Sequence, residues 1–124
     1  MERSKVLSAL SALAHESRLD LVRLLVPRGK EGLPAGEIAR ALGLSASRLS
    51  FHLAALEQAG LIRSRKVSRN VIYSVDLAGI GGAISYLLAD CCMDHPEVLA
   101  CCRHRSTRGA EAATGDTVTA PPEA

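Results

Sequence analysis

The segment LPAGEIARALGLSASRLSFHLAALEQAGL, residues 33–61, predicts two short helices joined by a tight turn. In the first helix Ile38 and Leu42 lie on one face at helical spacing. Gly43 ends this helix, because glycine adopts the left-handed conformation after a helix more easily than other residues. Ser45 follows as the N-cap of the second helix, where its hydroxyl can accept a hydrogen bond from an early backbone amide.

The second helix has one apolar face and one polar face. Leu49, Leu53 and Leu56 recur at steps of four and three and predict a buried stripe. The opposite face is predicted to carry Ser47, Arg48, Ser50, His52 and Gln58. This pattern is typical of a helix-turn-helix whose second helix enters the DNA major groove. The alternative is an ordinary helical hairpin with a solvated polar face.

The next segment, LIRSRKVSRNVIYSVD at residues 61–76, alternates in side-chain polarity and predicts a β-hairpin with its tip at residues 67–70. It carries four cations and no acid before Asp76, namely Arg63, Arg65, Lys66 and Arg69. A basic hairpin directly after a recognition helix is typical of a wing that contacts phosphates or the minor groove. The alternative is a solvated surface hairpin.

Helices are also predicted on both sides of this region. The apolar stripe of residues 2–13 is predicted from Val6, Leu7, Leu10 and Leu13. The inward residues of a helix over 16–26 are predicted as Leu19, Val22, Leu25 and Val26. A last helix spans residues 77–92, and its glycines, Gly79, Gly81 and Gly82, are predicted to permit close backbone contact with a partner subunit.

Length and composition limit the class of protein. A chain of 124 residues fits one domain, and aromatic residues make up only 2% of it, so aliphatic side chains must form the core. The net charge is +2, which is compatible with DNA binding. No stretch is long and apolar enough for a membrane span or a signal peptide, so we expect a cytoplasmic protein with reduced cysteines.

The pattern resembles the ArsR/SmtB winged-helix repressors, a family of homodimeric bacterial metal and metalloid sensors. The resemblance covers roughly residues 5–90 and is most specific in residues 13–25, in residues 44–62 and in the Arg69-x-x-x-Tyr73 end of the wing. It implies a mainly α winged helix-turn-helix with a small β-hairpin. It also implies dimerisation through the first and last helices on an inverted-repeat operator in double-stranded DNA.

The resemblance also implies a DNA-reading set, which comprises Ser45, Ser47, Arg48, Ser50 and His52. The chain departs from the family at three places. Ser68 stands where the family's wing often has glycine, residues 33–61 contain no cysteine pair, and the last helix lacks the Asp-x-His zinc pattern. A sensing site must therefore lie elsewhere.

All four cysteines fall within CCMDHPEVLACC, residues 91–102, as Cys91, Cys92, Cys101 and Cys102. Pro96 breaks the last helix and starts another turn, capped by Asp94 or His95. Thiolates select soft ions, and trivalent arsenic or antimony takes three sulfurs in a pyramid rather than the tetrahedron of zinc. Some family members carry an arsenic site of this kind, which implies Cys91, Cys92 and either Cys101 or Cys102 as ligands for arsenite or antimonite.

These observations predict a DNA-binding repressor, not an enzyme, that trivalent arsenic or antimony releases from its operator. Three parts are expected: a winged-helix and dimerisation domain (1–92), a cysteine-containing extension (93–105) and a disordered tail (106–124).

Other roles for the cysteines stay open. They could form a regulatory disulfide in a basic neighbourhood, bind a soft divalent metal, join His95 and His104 in a zinc site, or be small buried hydrophobic residues. Cys102 and Arg108 also match the C-x5-R spacing of cysteine phosphatases and arsenate reductases, but that chemistry needs a rigid loop between a strand and a helix.

Overall fold

The computed structural model describes residues 1–105, with side chains described to residue 102. The helices are α1 (Arg3–Leu13), α2 (Glu16–Leu25), α3 (Ala35–Leu42), α4 (Ala46–Gln58), α5 (Leu77–Tyr86) and α6 (Pro96–Arg105), and the strands are β1 (Leu33–Pro34), β2 (Ile62–Val67) and β3 (Asn70–Val75). The chain divides into two compact units, the first spanning Met1–Ile84 and the second beginning at Ser85. The predicted disordered tail, 106–124, lies outside the described residues.

The predicted helix-turn-helix is confirmed. Gly43 follows α3 in the left-handed conformation (φ 68°, ψ 33°), which turns the chain toward α4. Ser45 is the N-cap of α4, and its side-chain oxygen accepts a hydrogen bond from the Arg48 amide at 3.3 Å. Both turn residues thus take the roles that the sequence assigns to them.

The core forms where α2, α3 and α4 meet the sheet. Its largest fully buried side chains are Leu21, Leu25, Ile38, Leu56 and Leu61. The predicted inward face of α2 was wrong at two positions, since Leu19 is 55% exposed and Val26 is 44% exposed. Leu25 is buried as predicted, and Leu21, one helical turn before it, faces the core in place of Leu19. The 3₁₀ turn Val26–Arg28 begins where the α-helix ends, so Val26 does not continue the buried face.

The predicted apolar stripe of α1 was also wrong in part. Val6 is buried together with Ala9 and Ala12, whereas Leu7 and Leu10 are exposed. The small alanines allow α1 to approach α2 and α4 closely, which turns the two leucines away from this core. An exposed leucine surface on α1 is therefore available to a partner.

The predicted hairpin is confirmed and gains a third strand. β2 and β3 pair antiparallel from Ile62↔Val75 to Val67↔Asn70, and β1 pairs with the other edge of β3. A two-residue strand is too short to leave a periodic signal in the sequence. Ser68, in the two-residue turn, has φ 57°, a left-handed conformation that glycine adopts with the least steric strain.

Gly79 brings α5 against the turn after α4. A Cβ atom built at Gly79 would collide with the Gly60 backbone carbonyl. The close contact predicted for this glycine thus occurs within the chain rather than with a partner subunit. At Gly81, in contrast, a Cβ would meet no atom within 4 Å among the residues that the structure describes.

We expect Gly79→Ala to lower the free energy of unfolding by about 1–3 kcal/mol, because the methyl group displaces a backbone carbonyl. Gly81→Ala is the matched control and should be neutral or stabilise by up to about 1 kcal/mol through helix propensity. Urea unfolding at one protein concentration measures both variants. Equal stability of the two variants would show that Gly79 is not sterically required.

His52 was predicted on the outer face of the recognition helix, and this placement was wrong. It is only 5% exposed, and its Nδ1 accepts a hydrogen bond from Arg18 Nε at 3.1 Å. The His15 ring lies 4.5 Å from the His52 ring, measured between centroids. The reason is visible in the helical period, since position 52 is three residues after Leu49 and therefore continues the buried stripe.

Burial lowers the pKa of His52 below its ordinary value of 6.5, and electrostatic repulsion from His15 and from the Arg18 and Arg48 guanidinium groups lowers it further. The neutral ring therefore accepts the Arg18 hydrogen bond, whereas a protonated ring would place two donors against each other. In the unfolded chain the histidine protonates more readily, so acidification below about pH 6.5 favours unfolding.

We expect His52→Asn to lose less stability than the wild type between about pH 7.5 and pH 5.5, because the amide oxygen accepts without titrating. Thermal unfolding at the two pH values gives the measurement. Ser50→Ala, at an exposed position of the same helix that carries no titrating group, is the control and should keep the wild-type pH dependence. Identical pH slopes for wild type and His52→Asn would contradict the assignment.

Candidate nucleic-acid interface

The exposed face of α4 begins at its N-terminus. Ser45, Ser47, Arg48 and Ser50 are all exposed there, as the sequence predicted. The Ser45 and Ser47 hydroxyls lie 3.5 Å apart, within hydrogen-bond reach. This half of the helix thus presents short hydroxyls and one guanidinium to solvent, groups that hydrogen-bond base edges and phosphates.

Sequence reasoning missed Phe51, which shares this face. Its side chain is exposed, and its ring stands edge-on to His52, with the centroids 5.7 Å apart. The Arg18 Cζ atom lies over the Phe51 ring, 5.4 Å from its centroid. The signal was present in the sequence, since position 51 lies one helical turn after Ser47 and therefore on the same face.

The wing carries its four cations in two different ways. Arg63 Nη2 lies 3.2 Å from Asp76 Oδ2, and Arg65 donates to the backbone carbonyls of Lys30 (2.8 Å) and Glu31 (3.3 Å). Arg65 therefore attaches the wing to the segment before β1, whereas Arg63, whose side chain is 68% exposed, pairs with Asp76 at the base of the wing. The other two, Lys66 and Arg69, are exposed near the wing tip, and neither forms an ion pair within residues 1–102.

Asp76 connects the base of the wing to α5. Its Oδ1 accepts a hydrogen bond from the Gly79 amide at 3.1 Å, which satisfies a free donor at the start of the helix. This backbone hydrogen bond, with a smaller contribution from Arg63, holds the pKa of the Asp76 carboxyl below its usual value. The carboxylate is thus ionised at neutral pH and orients Arg63.

The cysteines lie in the second unit, on two successive helical segments. Cys91 and Cys92 end a π-helical turn, Leu87–Cys91, in which the Cys92 amide donates to the Leu87 carbonyl at 2.9 Å. Cys101 and Cys102 lie on α6. The predicted break is confirmed, since α6 begins at Pro96 and His95 Nδ1 accepts from the Glu97 amide at 3.1 Å.

All four thiols are free, and Cys91, Cys101 and Cys102 are exposed while Cys92 is partly buried. Within the part of the chain that the structure describes, no three His, Cys, Asp or Glu residues are grouped closely enough to hold a metal ion. The single chain therefore does not bring the predicted ligands into one site. Cys102 lies within a helix, which is not the loop between a strand and a helix that phosphatase chemistry needs.

None of the helices within residues 1–105 is long and apolar enough to cross a bilayer.

Comparison with known proteins agrees with the geometry of this surface. Residues 13–65 match a family model described as a helix-turn-helix domain. The chain is 37% identical over 78 residues to the HTH-type transcriptional regulator YgaV of Escherichia coli, covering 63% of this chain and 77% of that protein. It is 34% identical over 84 residues to the transcriptional activator HlyU of Vibrio cholerae, covering 68% and 75% respectively.

Solved structures show the same architecture. The structure described as reduced HlyU from Vibrio cholerae superposes with a TM-score of 0.56 at 34% identity, covering 68% of this chain and 86% of that chain. A fragment of Mb0332 from Mycobacterium bovis, described as a homodimeric winged helix-turn-helix DNA-binding domain, gives a TM-score of 0.57 at 26% identity, covering 74% and 84%. The chain, which is not an enzyme, therefore belongs to the DNA-binding winged helix-turn-helix transcriptional regulators of the ArsR and HlyU type.

Proposed function

We propose that this regulator is a cytoplasmic homodimeric repressor that binds an inverted-repeat operator and is released by trivalent arsenic or antimony bound to its cysteine thiolates. The observation that carries the sensing part is the position of four free thiols on two short helical segments, three of them exposed and Cys92 partly buried. Cysteine is among the residues most often buried in proteins, so exposed cysteines are unusual for a purely structural role.

Apolar side chains on the first and last helices of the first unit support the homodimer. They are the exposed residues Leu7 and Leu10 on α1 and Leu77 and Ile84 on α5. A partner subunit would bury them, which removes apolar surface from water and stabilises the assembly. Mb0332, a similar protein, is itself described as homodimeric. Two recognition helices would then meet successive major grooves about 34 Å apart.

DNA contact is assigned to the exposed polar face of α4 and to the wing tip. Ser45, Ser47, Arg48 and Ser50 would contact bases and nearby phosphates, while His52 orients the helix from its buried side. In the wing, Lys66 and Arg69 would bind phosphates. Arg63 pairs with Asp76 at the base of the wing, and Arg65 holds the wing against the domain through the carbonyls before β1.

The salt dependence of DNA binding tests this division of the wing cations. We expect Lys66→Ala and Arg69→Ala each to reduce the slope of log K against log salt by about 0.9 for every phosphate that the removed cation would neutralise. Arg63→Ala should keep the wild-type slope and lower thermal stability instead. Fluorescence anisotropy with a duplex from upstream of the protein's own gene gives the slopes. An equal reduction of the slope in Arg63→Ala would contradict the division.

The proposed switch follows from the chemistry of arsenic and the positions of the thiols. Trivalent arsenic binds three thiolates in a pyramid, and adjacent cysteines supply two of them. Cys91 and Cys92 would bind first, and either Cys101 or Cys102 would complete the site. Because the single chain does not group three such ligands, binding would rearrange this segment or recruit a partner chain's thiol. The rearrangement would shift the dimer helices and the spacing of the two recognition helices.

We expect arsenite to weaken DNA binding by the reduced protein roughly 5–150-fold, the usual range of coupling between two sites. Cys91→Ser and Cys92→Ser should bind DNA normally and no longer respond to arsenite. Of the variants Cys101→Ser and Cys102→Ser, the one that loses the response identifies the third ligand. The measurement is anisotropy at fixed salt with arsenite titrated in and zinc as the control ion.

If Cys91→Ser and Cys92→Ser both still release DNA with arsenite, these cysteines are not the site. If DNA binding by the wild type is unaffected by arsenite but is weakened by a soft divalent ion, that ion is the inducer. The assignment of the fold and of the DNA-binding surface is then unchanged.

A second candidate signal is oxidation of the same thiols to a disulfide. Exposed cysteines are accessible to oxidants, and the similar HlyU structure is described as the reduced form. Loss of DNA binding on oxidation without any metalloid, reversed by reductant, would favour this candidate over arsenic. A serine variant whose DNA binding responds neither to oxidant nor to arsenite would show that both signals act through the same cysteine pair.

A further inference from the structure

Phe51 is the feature of the DNA-facing surface that polar recognition does not explain. Its side chain is 66% exposed, although it is the only phenylalanine of the chain. An exposed ring of this size leaves apolar surface in contact with water, which is unfavourable unless a partner covers it. Phe51 lies in the N-terminal half of α4, the half that meets base edges in helix-turn-helix proteins.

The ring is held in place from the protein side. Arg18 lies over it, with Cζ 5.4 Å from the ring centroid, and His52 packs against it edge-on. Arg18 is itself fixed, since its Nε donates to His52 Nδ1 and its Nη1 lies 3.5 Å from the Ala12 carbonyl. A ring supported on its inner side can contact DNA with little loss of conformational freedom.

The surroundings of Phe51 favour nucleic acid over an apolar protein partner. Ser47, Arg48 and Ser50, the neighbouring side chains on this face, are polar or cationic and exposed. His15, Ser47, Arg48 and His52 line a groove together with Phe51. A protein surface complementary to this patch would have to be polar and anionic around one apolar point. The DNA major groove has this character, since phosphates flank it and the thymine 5-methyl group is its apolar feature.

We infer that Phe51 is a specificity-determining residue that reads a thymine through its 5-methyl group, and that Arg18 and His52 are its positioning residues. The inference rests on the DNA-binding surface and is independent of the inducer. It adds an apolar contact to the hydroxyl and guanidinium groups of α4. Each half-site of a symmetric operator would then contain one thymine whose methyl group packs against the Phe51 ring.

The test removes the methyl group from the DNA instead of the side chain from the protein. A high-affinity duplex is selected from a random library with the wild-type protein. Each thymine is then replaced in turn by uracil, which keeps every hydrogen-bonding group and lacks only the methyl. We expect one symmetric pair of replacements to weaken wild-type binding by about fourfold per half-site, the effect of one buried methyl-sized group. Phe51→Ala should bind the thymine and uracil duplexes equally.

Two controls separate this contact from a general loss of DNA binding. Phe51→Leu keeps an apolar side chain and should retain part of the methyl dependence. Leu19→Ala removes an exposed apolar side chain of α2 and should show the wild-type uracil profile. All titrations use low salt, where phosphate contacts keep the weaker variants bound.

A wild-type protein that is insensitive to uracil at every position would overturn the inference. So would a Phe51→Ala variant with the wild-type uracil profile, or one that loses affinity without losing the methyl dependence. A change of oligomeric state in Phe51→Ala, without a change in the uracil profile, would assign the ring to a contact between chains.

Discussion

The packing of α4 against the rest of the first unit is the constraint on which the DNA-facing surface depends. Leu49, Leu53 and Leu56 are buried, and His52 lies among them with its Nδ1 bound to Arg18. These contacts fix the rotation of α4 about its axis, because a helix with one face buried has only one orientation that keeps its apolar stripe from water. The hydroxyls, Arg48 and Phe51 are exposed as a consequence of that rotation.

A buried imidazole fixes the rotation of α4 at a higher energetic cost than an apolar side chain would. A leucine at position 52 would bury apolar surface without needing a hydrogen-bond partner, whereas a buried histidine must be paired and uncharged. Through Arg18, however, the histidine links α4 to α2 and to the carbonyl of Ala12 at the end of α1. Three helices thus meet at one polar contact. A shift of α1 would therefore move the recognition helix through Arg18 and His52.

The wing depends on a second set of contacts. Asp76 accepts from the Gly79 amide and pairs with Arg63, and Gly79 lies against the Gly60 carbonyl. The end of α4, the base of the wing and the start of α5 are therefore held together by the Asp76 carboxylate and by one close backbone contact. α5 continues into the unit that carries the cysteines, so under the proposed function a change in that helix would act on the junction that supports the wing.

The sequence by itself determined the helix-turn-helix, the hairpin and the break at Pro96, because each depends on local signals. Gly43, Ser45 and Pro96 act within one or two turns of chain, and the two-residue alternation of the wing is equally local. The tertiary structure alone decided which of the apolar residues of α1 and α2 are buried. Leu19, Leu7 and Leu10 carry the same local signal as core leucines, yet the packing of α1 and α2 leaves them exposed. Within α4, in contrast, the helical period already places His52 on the buried stripe and Phe51 on the exposed face. Arg63 and Arg65 resemble free cations until their partners, distant in sequence for Arg65, are brought beside them. For these residues burial and pairing depend on contacts between elements, which no pattern within a single element contains.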